Sequence, residues 1–566
     1  MKKKFLLLST ISVMAVSLTS CDFISDYING FVNGDSSNGR TYSEVVASSH
    51  EPISDVSTPP AGDLVANKAS CDYSDYVKNS VYPLSSTPSE GSANLLVIPV
   101  WFNDSSTFIK EDKKETVRED IHDAYFGDTD VTGWHSVKTY YEEESHGVLT
   151  ITGKVSDWYD VGKNYSYYGN EVPTDTNGCP KTTALAQEAT KWYFESNPSE
   201  STTDYDCDKD GYLDGVMIIY AAPDAYAMNK ERSYPNLWAY CYWTQEYDLQ
   251  NPSNPGLNAF FWASYDFMYG SDIASSRTGS RYGSGDTSHC TIDAHSYIHE
   301  MGHMFGLEDY YDYSNYGYSP AGGFSMQDSN VGGHDPFSSF ALGWGKAYIP
   351  TETTNIDLKP FSTSGEMILL SPKWNAYNSP FDEYILLEYF TDTGLNELDT
   401  TYAYMSKYGK AYPMGSKEYG IRVWHVDARL LYTLTGAYSA SKTTTNPKYA
   451  TGRVNLLMSN TYDDGSEYAR QYVSPLSQDP EQKYYDAHYA DYNLLHMIRN
   501  NTRAGTKPKD SLASSSLFKK GDSFSMSDFA NQFVNKGKLN TNVDLGFTFE
   551  VNACNNSYAS ITVKKV

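Results

Sequence analysis

One run limits what this chain can fold into more than any other: His299-Glu300-Met301-Gly302-His303-Met304-Phe305-Gly306-Leu307-Glu308-Asp309. His299 and His303 stand at i and i+4, so their imidazoles share a face only if the segment is helical. Two neutral imidazoles at that spacing can hold one zinc ion. Glu300, beside them, can reach a water on that ion and serve as general base. A catalytic zinc needs a third protein ligand and an open position. Gly306 can end the helix with a positive φ and turn the chain back, which brings Asp309 to the metal from outside the helix. Glu308 and a distant carboxylate are the alternatives for that third place. With 12 histidines in the chain, a chance H-E-x-x-H is expected about once or twice per hundred such sequences. The full layout, H-E-x-x-H-x-x-G-x-x-D, is that of the long zincin motif, with Asp in the third place.

Two downstream residues fit the same site. Such motifs place a Met in a tight turn beneath the metal, and Met326 lies in Gly322-Gly323-Phe324-Ser325-Met326-Gln327-Asp328. His334, in Gly332-Gly333-His334-Asp335-Pro336, could donate a hydrogen bond to a developing oxyanion. A loop histidine or a lone Met needs no such role, since Met is more often core filler.

A second constellation is acidic. Asp206-Cys207-Asp208-Lys209-Asp210-Gly211-Tyr212-Leu213-Asp214 sets carboxylates at alternate positions around a glycine. Hard oxygen ligands at this spacing suit calcium, with Asp206, Asp208, Asp210 and Asp214 as ligands. The twelfth position is Met217 rather than Glu, so a full helix-loop-helix site is excluded.

The N-terminus is a targeting segment. Lys2, Lys3 and Lys4 precede a mostly apolar stretch to Leu18, too short for a comfortable membrane span. Leu18-Thr19-Ser20-Cys21 follows and resembles the bacterial lipobox, in which the Cys is acylated. The expectation is a signal peptide over 1–20, a lipidated Cys21, and an extracytoplasmic body anchored to the membrane through that lipid alone. Residues 21–90 are rich in Ser, Gly, Asn, Asp and Pro and read as a flexible linker. The net charge of −28 argues against a nucleic-acid partner, which would need basic patches. The six cysteines other than Cys21 allow disulfides, in pairings that sequence cannot choose.

From 91 to 350 strands and helices mix. Asn94–Phe102 and Val216–Ala221 are apolar runs of the buried-strand type. Lys113–Tyr125, Ser136–Ser145 and Lys181–Glu195 read as helices, the last with Leu185, Ala189 and Trp192 on one face. From 351 to 566 short strands dominate, among them Tyr384–Tyr389 and Ile421–Val426, separated by polar turns. Fifty tyrosines fit such β-rich structure. The expected fold is an α/β domain followed by a β-rich, sandwich-like C-terminal domain.

Several separated segments together resemble the immune inhibitor A-type secreted metallopeptidases. They are Ser136–Glu143 leading into Gly147-Val148-Leu149, the acidic loop running into Asp214–Tyr220, the zinc segment through Asp312, Pro336–Trp344, and Gly420–Asp427. The resemblance implies a zincin-like catalytic domain and endopeptidase activity on polypeptide substrates. It carries zinc ligation to His299 and His303 and general-base duty to Glu300. Glu308 stands where that family often has Pro, and no large folded pro-domain is evident. A rival from another class is a surface lipoprotein on a dead peptidase scaffold, acting as a binding protein or adhesin. Against it stands the intact set His299, Glu300 and His303. A further rival is a zinc amidase acting on wall peptide.

Overall fold

The structure, a computed structural model, describes residues 64–66, 87–172, 179–244, 250–307, 309–311, 320–372, 383–406, 409, 411–427, 432–434, 453–455, 495–502, 504–505, 512–540 and 542–566. The signal segment, Cys21, Glu308 and Asp312 lie outside the described residues. The linker expected over 21–90 needs correction at two places. Leu64–Ala66 pairs antiparallel with Lys346–Tyr348. Thr87 and Ser89 are buried because the folded body gives each a partner: Thr87 Oγ1 donates to the Asp214 carbonyl at 2.5 Å, and Trp344 Nε1 donates to the Ser89 carbonyl at 2.6 Å.

The first half is built on a mixed sheet. Its main strands are β1 (Gly91–Trp101), β2 (Leu149–Val155), β3 (Gly215–Tyr220), β4 (Tyr240–Trp243) and β5 (Ala259–Ser264). The order is β2-β1-β3-β5-β4. All neighbours are parallel except β4, which runs antiparallel to β5 at the end of the sheet. β3 and β5 are buried at every position, as parallel strands covered on both faces must be.

Helices cover the sheet. They are α1 (Lys114–Phe126), α2 (Val137–Glu144), α3 (Pro180–Ser196), α4 (His295–Met304) and α5 (Pro336–Ala341). α2 starts where Ser136 and Thr139 form a reciprocal capping box. α3 starts on Pro180, and the Glu171 carboxylate accepts the N–H groups of Lys181 and Thr182 at 2.7 and 3.0 Å. Glu171 thereby satisfies donors that a helix start leaves orphaned. α4 is pinned from three sides: Tyr297 donates to the Ser264 carbonyl of β5 (2.8 Å), Tyr141 of α2 to the Ile298 carbonyl (2.7 Å), and Cys241 of β4 to the Glu300 carbonyl (3.0 Å).

The second half is β-rich. β6 (Lys346–Tyr348), β8 (Glu366–Leu370), β9 (Glu383–Phe390), β10 (Gly420–Asp427) and β11 (Leu495–Ile498) form one sheet in that order. β7 (Thr354–Leu358) joins a second sheet with β12 (Ser523–Phe524), β13 (Phe547–Cys554) and β14 (Ala559–Lys565). Side chains of the first of these sheets alternate between two cores. Met367, Leu369, Leu386, Trp424 and Met497 join the core of the α/β half. Ile368, Leu370, Leu387, Val423 and Ile498 pack with Phe549, Val551 and Ile561 of the second sheet. The apolar core therefore runs through the boundary read at residue 350, and the β8–β11 sheet is shared.

Among the described residues no helix is long and apolar enough to cross a membrane. The described cysteines Cys179, Cys207, Cys241, Cys290 and Cys554 carry no disulfide.

Candidate metal centre

Asp293 begins the site by accepting the His295 backbone N–H at 2.9 Å, at the start of α4. Two turns of helix then carry His299 and His303 on one face, their ring centroids 5.1 Å apart. α4 ends at Met304. Gly306 takes φ +92°, and the Leu307 N–H returns to the Gly302 carbonyl at 3.1 Å. This is the left-handed helix end that glycine permits. The reversed chain brings Asp309 against the helix. Asp309 Oδ1 lies 3.0 Å from His299 Nε2 and 3.4 Å from His303 Nε2. Ligand atoms of the three residues lie within 4.8 Å of one another.

The other ring nitrogens are already used. His299 Nδ1 faces the Met326 carbonyl at 2.7 Å, and His303 Nδ1 faces the Leu307 carbonyl at 2.8 Å. A carbonyl can only accept, so each Nδ1 carries the proton and each Nε2 presents a lone pair toward Asp309. A backbone carbonyl behind each imidazole is the usual outer support of a metal-binding histidine. The donor set therefore fits a zinc ion: two Nε2 lone pairs and one carboxylate oxygen converging, with the tautomers fixed. Burial raises the Asp309 carboxyl, but facing His303 and His299 outweigh it and hold it far below the carboxylate range. Burial lowers His299, and Asp309 outweighs that in turn, leaving it raised. Such a site gives up protons when a cation enters.

Met326 lies in a turn beside α4. Its role in the described contacts is through the backbone: Met326 O accepts from His299, and Gln327 O accepts the Tyr310 N–H at 2.8 Å. Gly302 allows the close approach, since a Cβ there would collide with Gln327 Oε1. Tyr311, which sequence reasoning passed over, donates to Asp309 Oδ2 at 2.9 Å. His334 is buried in an aromatic box of Tyr140, Tyr141 and Trp344. Its ring nitrogens have no hydrogen-bond partner among the described residues. Burial, then the charges of His299 and His303, lower it to about 3. Glu300 is buried on α4 beside the ligands.

The acidic loop gathers Asp206, Asp208 and Asp210, whose carboxylate oxygens also lie within 4.8 Å of one another. Asp214 is not in that group. Its buried carboxylate accepts the N–H groups of Asn94 and Cys207 at 2.8 and 3.0 Å, which ties the loop to β1.

With this geometry in view, residues 89–332 match the immune inhibitor A peptidase M6 catalytic domain. Over those residues the chain is similar to that family's catalytic domain. Two curated relatives share 27% identity with it over 249 residues. Both are the pre-pro-metalloprotease PrtV of Vibrio cholerae serotype O1, from strains M66-2 and ATCC 39315 (El Tor Inaba N16961). The alignment covers 39% of this chain and 25% of each relative, so the chain spans about a quarter of the length of the curated relatives it matches. The matched segment includes His299, His303 and Asp309, the Met326 turn and the acidic loop. It ends before α5 and the shared sheet.

Proposed function

We propose that this protein is a zinc-dependent endopeptidase that cleaves extracellular proteins and is held at the cell surface by a lipid on Cys21. The observation that carries the reading is the convergence of two imidazole lone pairs and Asp309 Oδ1, with both Nδ1 atoms committed to backbone carbonyls. The M6 match and the PrtV relatives, metalloproteases by name, support it. A zincin-like fold is supported by the mixed sheet with its antiparallel strand β4 next to the metal-binding helix.

His299, His303 and Asp309 would hold the zinc. When bound, it supplies Lewis acidity toward a water and toward the peptide carbonyl. Glu300 takes a proton from the attacking water at its carboxylate and returns it to the leaving amine. β4 ends the sheet, so an extended substrate can add beside it by strand pairing, with backbone hydrogen bonds that suit many sequences. Calcium is the cation proposed for Asp206, Asp208 and Asp210, with Asp214 holding the loop in shape.

The test is metal content of the purified protein, together with casein cleavage before and after chelation. About one zinc per chain and cleavage that chelation abolishes are expected. A zinc-free protein that digests casein equally well with chelator present would overturn the reading.

A further inference from the structure

We propose that Tyr311 is a positioning residue of the metal centre, whose hydroxyl holds the outer oxygen of Asp309 so that the inner oxygen alone faces the two imidazoles. The inference rests on the zinc reading above. Asp309 is fully buried, at 0% exposure, and a carboxylate offers two oxygens. Oδ1 is the one turned to His299 and His303, at 3.0 and 3.4 Å. Oδ2 accepts the Tyr311 O–H at 2.9 Å. A carboxylate free to rotate can bind a cation through both oxygens. Two-oxygen binding would take up the position that a catalytic zinc must keep open for water and substrate. A hydrogen bond that occupies Oδ2 favours the one-oxygen mode.

The three ligands are supported differently. His299 and His303 lean on the backbone carbonyls of Met326 and Leu307, which no side-chain substitution deletes. Asp309 leans on a side chain, and Tyr311→Phe removes the supporting oxygen while keeping the ring. Its neighbour provides the control. Tyr310 is equally a tyrosine and 1% exposed, but its hydroxyl meets Ser338 Oγ at 2.9 Å, away from the ligands. Tyr310→Phe makes the same chemical change without touching Asp309.

The experiment is a zinc titration of the metal-free full chain against a competing chelator, for the wild type, Tyr311→Phe, Tyr310→Phe and His303→Ala. Outer partners of metal ligands are worth about 10–100-fold in affinity. Tyr311→Phe should raise the zinc dissociation constant by about that factor, and Tyr310→Phe should leave it near the wild-type value. The visible spectrum of the cobalt(II)-loaded protein, which senses the ligand set, should change in Tyr311→Phe and not in Tyr310→Phe. Thermal midpoints of the metal-free variants separate ligand positioning from loss of fold. Wild-type zinc affinity and an unchanged cobalt spectrum in Tyr311→Phe would overturn the proposal, as would equal weakening in both Tyr→Phe variants. If the wild type binds zinc no better than His303→Ala, the zinc reading itself falls.

Discussion

His303 Nδ1 lies 2.8 Å from the carbonyl oxygen of Leu307, and Gly306 stands between them at φ +92°. The turn that stops the helix therefore also orients one of the candidate ligands and delivers another, Asp309. We predict that Gly306→Ala strains this turn by about 1–2 kcal/mol, the cost of a left-handed conformation for an L residue. Zinc affinity should fall along with thermal stability. An unchanged zinc dissociation constant, measured by chelator competition, would show that the ligands are set independently of the turn.

Glu300→Gln should keep its zinc and lose about 10²–10⁴-fold in casein cleavage, the usual range for a general base. Glu300 is placed between the ligands in sequence without being one of the three that converge. Near-normal cleavage by a zinc-loaded variant would remove Glu300 from the mechanism.

A pH dependence follows from Glu144 at the end of α2. Burial pushes its carboxyl up to about 8, against hydrogen bonds from Ser339 Oγ and the His334 N–H that lower it. In the unfolded chain a Glu titrates near about 4.3. Between these values the unfolded chain gives up a proton that the folded protein keeps, so stability falls as pH rises. The contribution is complete below about pH 4.3 and is lost through about pH 8. Asp328, raised to about 6, and Asp399, raised to about 7, both by burial first, act in the same sense. Glu144→Gln should flatten the decline of the urea midpoint between pH 5 and 9 with zinc saturating. Parallel curves for the variant and the wild type would mean that Glu144 ionises alike in both states.

Calcium should stabilise the zinc-loaded protein, by about 2.7 kcal/mol at a hundredfold excess over its dissociation constant. The gain should shrink in Asp208→Ala, which removes one member of the three-carboxylate group. Asp214→Ala should instead be destabilising even without calcium, because the N–H groups of Asn94 and Cys207 lose their acceptor. Equal melting temperatures with and without millimolar calcium would reduce the loop to a solvated turn.

Cys21→Ala should release the protein from the membrane fraction, as the lipobox-like Leu18–Cys21 run leads us to expect. Fractionation after a salt wash is the check. Continued sedimentation of an exported variant with membranes would require a different anchor.

The candidate metal site was legible because its information is local. The spacing of His299, Glu300 and His303 marks one helix face, and Gly306 marks where that helix must end. What escaped was carried by backbone or by distance. The Met326 and Leu307 carbonyls behind the imidazoles have no sequence signature, since every residue has a carbonyl. β5 escaped notice although Ala259-Phe260-Phe261-Trp262-Ala263 is an apolar run like those of β1 and β3. Asp214 shares the acidic spacing of its neighbours, and only the fold turns it toward Asn94 of β1. The shared core was hidden for a plainer reason. A strand buried on both faces, such as β8, reads as uniformly apolar and does not say which neighbour lies on which side.

That sharing has a consequence in time. Leu495, Met497 and Leu512 pack in the same core as Leu95, Ile218 and Met301. A chain that emerges N-terminus first presents the whole 299–309 segment long before those residues arrive to complete the core they share with it. Synthesis that stops short of residue 495 therefore leaves this shared core without its last strand, however complete the α/β half may be.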